Sequence, residues 1–269
     1  MIKRSLMALM LIASAQSLWA QELYVNTEPA SNMPARSLAL RAEGQAFSAN
    51  GKLRDRGTIE MMYGANKDLM LHLAGYASNF NTPGRHFEGG SVYAKYRFFS
   101  VDTVQRHLRG AVFAKAASIS NPFINQEISL EGDNSGMQGG VIITQLIHKL
   151  AISGSASYIR GFDNRGSYVM PVANSRDALA YSLSAGYLLL PKTYTDYDQV
   201  NVNLYLELLG KTNPGYGQSY LDAAPAVQFI FNSVFRADAS YRTPIYGNMT
   251  RNTQNMFLVR LEYNLFNVF

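Results

Sequence analysis

The sequence predicts an all-β protein: a transmembrane antiparallel up-and-down β-barrel of about twelve strands, with short periplasmic turns and longer extracellular loops. Three observations predict it. The chain consists largely of alternating segments about ten residues long, the length a tilted strand needs to cross a bilayer. Each carries a greasy face opposite a face of charged, polar or small residues. The links between segments are alternately short and, for the most part, longer.

The front end implies export. The 269 residues open MIKRSLMALMLIASAQSLWA, in which Lys3 and Arg4 precede an apolar run from Leu6 to Ile12 and then small and polar residues. That is the layout of a secretory signal peptide, expected over residues 1–20, with a cut after Ala15 the other reasonable site. A membrane-spanning anchor needs roughly 18 or more apolar residues, and this run is too short. Residues 21–36, QELYVNTEPASNMPAR, carry two prolines. Two placements are open to them, a periplasmic tether or a lumenal segment that narrows the barrel. The barrel itself is expected over 37–269.

Composition removes several classes. With no Cys there is no disulfide framework, thiolate metal site or cysteine nucleophile. Without Lys3 and Arg4 the 24 basic residues fall to 22 against 19 acidic, a net charge of +3. Charge so mild and so scattered gives no reason to expect nucleic acid as a partner. The only Trp, Trp19, leaves with the signal.

Strands are expected near 37–47, 56–64, 69–78, 88–98, 105–117, 137–145, 150–160, 178–190, 199–210, 219–231, 234–243 and 255–269. Side chains two apart share a face. In the ninth segment Val200, Val202, Leu204, Leu206 and Leu208 oppose Asn201, Asn203, Tyr205 and Glu207. In the eighth, Leu179, Tyr181, Leu183, Ala185, Tyr187 and Leu189 oppose Ala180, Ser182, Ser184 and Gly186. In the fourth, Val92, Ala94, Tyr96 and Phe98 oppose Tyr93, Lys95 and Arg97. A soluble sandwich could show any one of these strands. Small residues such as Ser153, Ser155, Ser157, Ser182, Ser184, Ala224 and Ala226 recur on the charged face, which suits a crowded lumen better than open solvent. A Lys or Arg turned to lipid at mid-membrane costs about 2–4 kcal/mol, so Lys95, Arg97, Arg109, Lys115 and Arg260 fix the inward faces of their strands.

The short links are 65–68, 99–104, 146–149, 191–198 and 232–233, and the longest of the others are 118–136 and 161–177. Short turns on one side and long loops on the other are the habit of bacterial outer-membrane barrels. Prolines fall outside the strands except Pro225, where the readings open are a bulge or a misplaced strand boundary.

The chain ends FLVRLEYNLFNVF. Phe269, with Leu265, Tyr263 and Leu261 at alternate positions before it, resembles the C-terminal signal that Gram-negative outer-membrane barrels present to their assembly machinery; Asn267 departs from that pattern. The stretches YLDAAPAVQFIFNSVFRADASYRTPI (220–245) and ELYVNTEPASNMPARSLALR (22–41) resemble outer-membrane transporters grouped under the meta-pathway of phenol degradation, and barrels of Bacteroidota-type bacteria. The resemblance implies a channel or importer of small solutes in the bacterial outer membrane. Its partners would be outer-membrane lipid, lipopolysaccharide and the assembly machinery.

No catalytic constellation emerges, and no enzyme activity, cofactor or metal is expected. Of the four His, His72 points inward, His86 lies in an outer loop within reach of Asp163 or Ser167, and His107 and His148 lie near periplasmic turns. No HxSN segment like that of barrel phospholipases is present. Glu131 and Asp133 belong to an ordinary polar loop. The chemistry-bearing surface is the lumen, lined by Arg41, Glu43, Glu60, Lys95, Arg97, Arg109, Lys115, Glu207, Asp222, Arg236, Asp238, Arg242, Arg260 and Glu262. Eight are basic and six acidic, which leans toward weak anion preference. A ladder of internal salt bridges is an equal reading of the same residues. Twelve strands should enclose a narrow pore or a ligand-sized cavity. Tyr76, Tyr93 and Tyr205 point inward and are candidates for solute contact. Tyr63, Phe98, Phe99, Tyr187, Tyr194, Tyr197 and Tyr220 fit an interfacial girdle. A rival reading is a closed barrel that acts through its outer loops.

Overall fold

The computed structural model describes residues 23–49, 51–104, 106–193, 199–252 and 254–268. The expected signal peptide, Phe269, Tyr194 and Tyr197 lie outside them. Twelve antiparallel strands close into one barrel, each paired with its neighbours in sequence and β1 with β12. They are β1 (Ser37–Ala49), β2 (Lys52–Gly64), β3 (Leu69–Ser78), β4 (His86–Thr103), β5 (Arg106–Ile119), β6 (Gly136–Ile147), β7 (Leu150–Gly161), β8 (Asp177–Leu190), β9 (Asn201–Asn213), β10 (Gln218–Phe231), β11 (Phe235–Gly247) and β12 (Met256–Leu265).

The alternation in sequence becomes the alternation of the wall. On β9, Leu204 and Leu206 are exposed outside, while Asn203, Tyr205 and Glu207 are buried inside. On β12, Phe257, Val259, Leu261, Tyr263 and Leu265 all face outward, opposite buried Leu258, Arg260 and Glu262. The outside is thus apolar without being covered, the inverse of a water-soluble barrel.

Three of the boundaries that differ from expectation, and the place of Pro225, have local reasons. β2 begins at Lys52, because Ala49 pairs directly with Lys52 and the link shrinks to two residues, with Gly51 at φ 73°. This outer link is as tight as the periplasmic turns. β4 runs on to Thr103, past a bulge between Arg97 and Phe99. β12 stops at Leu265, and the backbone N–H of Val268 donates to the Arg36 carbonyl at 3.0 Å. Pro225 sits inside β10 opposite Leu206, and the bulge of that strand falls at Leu221/Asp222 instead. At the other end Asn232 and Ser233 both take positive φ, the backbone of a tight primed hairpin turn.

Two segments fill much of the lumen. Residues 23–32 enter from the periplasmic end, the lumenal placement of the two open to them. Tyr24 and Val25 are buried in a cluster with Leu146, Ala151, Tyr205, Ala226 and Leu258. From the outer end residues 120–135 fold inward, and Ile128 and Leu130 pack on Ile159 and Ala178.

Candidate functional site in the lumen

The N-terminal segment is held by buried side chains of the wall. Glu207 accepts hydrogen bonds from the N–H of Val25 at 3.0 Å, the N–H of Asn26 at 2.8 Å, Asn26 Nδ2 at 3.1 Å and Thr27 Oγ1 at 2.7 Å. Across the barrel, Lys95 Nζ donates to the carbonyls of Pro29 at 2.7 Å and Ser31 at 2.8 Å and to Glu28 at 3.3 Å, so its three protons are all used. The N–H of Ala30 donates to Thr144 Oγ1 at 2.9 Å. Contacts to β9, β4 and β6 mean that the segment crosses the lumen rather than lining one wall. Burial alone would raise the Glu28 carboxyl, yet Lys95 and Arg41 hold it well below the usual carboxylate range.

The outer loop is pinned in the same manner. Lys211 Nζ donates to Glu127 at 2.8 Å and to the Ile128 carbonyl at 2.7 Å, and the Tyr220 hydroxyl donates to Glu127 at 2.7 Å. Burial would raise the Glu127 carboxyl, but Lys211, then Arg242, and the hydrogen bonds pull it down to about 2. Lys115, 3.3 Å away, lowers the Glu131 carboxyl. Nearer the mouth, Arg56 bridges Glu88 at 2.8 Å and Asp133 at 2.7 Å, and Asp133 also accepts from Asn81 and Asn252. Three loops are thereby tied to the wall and to one another.

Between floor and roof lies a polar chamber of about 310 Å³. Of the residues expected in the pore, Arg41, Glu43, Glu60, Lys115, Arg242, Arg260, Tyr76 and Tyr93 line it. The others are elsewhere. Lys95 and Glu207 are consumed by the N-terminal segment. Arg97 pairs with Asp68 at 3.1 Å and Arg109 with Asp102 at 3.0 Å, both near the periplasmic turns. Asp222 holds Arg242 at 2.6 Å and also pairs with Arg251. Arg236 pairs with Asp238 at 3.0 Å. Tyr205 packs edge-on against Tyr24, 5.5 Å between ring centroids, rather than facing the chamber.

The lining charges are largely paired. Arg41 bridges Glu60 at 2.8 Å and Glu262 at 2.9 Å, and Arg260 bridges Glu43 at 2.5 Å. Arg41, Lys115, Lys211, Arg242 and Arg260 face Glu28, Glu43, Glu60, Glu127 and Glu131, five of each sign. The excess of basic residues in the expected list does not survive at the chamber, because three of its five acidic lining residues, Glu28, Glu127 and Glu131, come from the two inserted segments. Tyr220 is also reassigned: it is buried, with Arg251 lying 4.1 Å from its ring centroid, and forms no part of an interfacial girdle. Parity with Asp222 carried that signal. His86 meets neither Asp163 nor Ser167; it bonds Thr82 and Asn121, both at 2.9 Å, as part of the loop ties.

The sequence matches no protein-family model and no curated protein. Solved structures match by fold. An outer membrane channel from Pseudomonas putida F1 superposes with TM-score 0.55 at 12% identity, over 90% of this chain and 100% of that one. The KdgM porin gives TM-score 0.49 at 12% identity over 84% and 98%. The outer membrane phospholipase A from Escherichia coli gives 0.44 at 12% over 95% and 97%. The chain is thus a closed twelve-stranded antiparallel β-barrel, similar in fold to an outer membrane channel.

Proposed function

We propose that the protein is a narrow passive channel of the bacterial outer membrane for small polar solutes, with the chamber as its way station. The chamber carries the reading: a polar space bounded by two inserted segments that are attached through side chains rather than strand pairing. Such segments can shift without breaking the wall. With five charges of each sign the lining has no ring of one sign, so selectivity among ions should be weak. The resemblance of 22–41 and 220–245 to outer-membrane transporters supports the same class. In this reading the apolar outer face meets lipid and lipopolysaccharide, and Leu261, Tyr263, Leu265 and Phe269 present the assembly signal.

The loop ties around Arg56, Glu88 and Asp133 favour a second reading, a closed barrel that acts through its outer surface. Liposome swelling separates the two. Vesicles holding the folded protein should swell in a pentose and not in a trisaccharide. No swelling in any solute would overturn the channel.

A further inference from the structure

Two groups of ion pairs meet the chamber at different levels, and neither is balanced. Around the Tyr220 ring stand Lys211 at 6.0 Å, Arg242 at 5.4 Å and Arg251 at 4.1 Å. Two carboxylates answer these three cations: Glu127 pairs with Lys211, and Asp222 pairs with both arginines. Asp222 is fully engaged, since both its oxygens accept from Arg251 and Oδ2 also accepts from Arg242 Nε at 2.6 Å. One positive charge is left over, and it sits at the end of Arg242. That guanidinium donates through Nε alone; Nη1 and Nη2 have no hydrogen-bond partner among the described residues and keep accessible surface. The side chain, 15% exposed, lines the chamber.

The second group has one carboxylate in excess. Arg41 bridges Glu28, Glu60 and Glu262, and Lys95 shares Glu28. Arg236 joins Glu262 to Asp238, and Arg260 joins Asp238 to Glu43. Four cations thus meet five carboxylates, with His72 beside Glu60 counted as neutral. Glu28, Glu43 and Glu60 line the chamber. A carboxylate offers about four lone-pair sites. Glu60 has given one to Arg41 and one to His72, so it can still accept.

Strand register separates the two groups. Arg242 pairs with Met256 and Glu43 is level with Arg260, four residues further along β12. At ~3.3 Å per residue that is about 13 Å along the strand, with the positive group nearer the outer mouth, and the long Arg242 side chain closes part of the gap. An enclosed charge left unmatched is costly, so each group calls for an opposite one. A guanidinium fork with two free nitrogens matches a carboxylate, and spare carboxylate lone pairs match an ammonium group. A simple anion or a simple cation would answer only one of the two. We infer that the chamber is a binding site for a small zwitterion, its carboxylate on Arg242 and its ammonium group among Glu28, Glu43 and Glu60. The separation of the groups suits an ω-amino acid or a dipeptide, whose own charges lie several bonds apart. A solute without net charge also agrees with a lining of five charges of each sign. This deepens the channel reading by naming its solute class, and rests on it only for the transport step.

The test is calorimetric titration of the folded, detergent-solubilised protein with 4-aminobutyrate and, separately, with butyrate and butylammonium, which carry one charge each. The zwitterion should bind the unaltered protein at least about tenfold tighter than either, the worth of one charge-assisted hydrogen bond. That comparison needs no variant to fold. Arg242→Gln removes the free fork while Arg251 still holds Asp222, and should weaken binding of 4-aminobutyrate about ten- to a hundredfold. No saturable binding of 4-aminobutyrate, equally tight binding of butyrate, or unchanged affinity in the Arg242→Gln protein overturns the site. Swelling activity without binding would remove this inference and leave the channel standing. Binding without swelling would keep the site and remove the channel.

Discussion

Replacing Glu207 with Ala should loosen the N-terminal segment and open the periplasmic half of the lumen. The carboxylate accepts four hydrogen bonds from that segment, at 2.7–3.1 Å, from the backbone of Val25 and Asn26 and the side chains of Asn26 and Thr27. Bonds to a charged acceptor are worth about 1.5–3 kcal/mol each. Four donors sharing one carboxylate are not additive, so the cluster is worth about 3–5 kcal/mol. Without it the two backbone N–H groups lack their acceptor, which favours departure further. At ~1.4 kcal/mol per tenfold, the displaced population rises on the order of a hundredfold to a few thousandfold. Lys95 and Thr144 still hold residues 29–31, so the segment should flicker rather than leave. In single-channel recordings the variant should show larger or noisier openings, and limited proteolysis should cut within 23–32. Glu207→Gln keeps one acceptor oxygen and should fall between. If proteolysis shows the segment released while conductance and noise match wild type, the segment is not the constriction and the reasoning fails.

Three other outcomes follow from the same contacts. Glu127 titrates at about 2 in the folded protein against an ordinary 4.5, so its pairing stabilises the inserted loop fully above about pH 4.5 and is lost as pH falls through about 2, a contribution of about 3 kcal/mol; unfolding midpoints of wild type and Glu127→Gln should differ at neutral pH and converge in acid, and a constant difference would count against it. Lys115→Glu places a second carboxylate beside Glu131 in the chamber and should move the reversal potential toward cations, while Arg97→Glu near the periplasmic turn should move it less; the opposite order would put the selectivity region at that end. A Cβ on Gly186 would lie 2.3 Å from the Tyr205 ring, so Gly186→Ala should destabilise the barrel by about 1–3 kcal/mol, read from the temperature at which the compact band on an unheated gel is lost.

Strand number and facing were legible because each strand carries its own period of two, and because inward Lys95 or outward Leu206 is read without knowing any partner. Strand ends were less legible. Nothing local in Lys52 to Asp55 separates a long hairpin arm from a loop, and pairing with Phe47, Ser48 and Ala49 decides it. The chamber was legible only in part. Parity pointed Arg41, Lys115, Tyr76 and Tyr93 inward, but not Lys95 onto the carbonyls of Pro29 and Ser31. The decisive contacts join Val25 to Glu207 and Glu127 to Lys211, residues far apart in sequence, and leave no periodic trace. The polar segment reads as a linker until its partners are known, since about half of the anchoring atoms of residues 23–32 are backbone N–H and C=O groups that any sequence carries.

The central claim is that polar solutes and ions can pass the narrowed lumen. Single-channel recording of the mature protein in a planar bilayer, under an asymmetric salt gradient, tests it most directly. Small discrete current steps with a reversal potential near zero are the predicted result, given five lining charges of each sign. A silent bilayer, from protein whose unheated gel band shows a folded barrel, would contradict it.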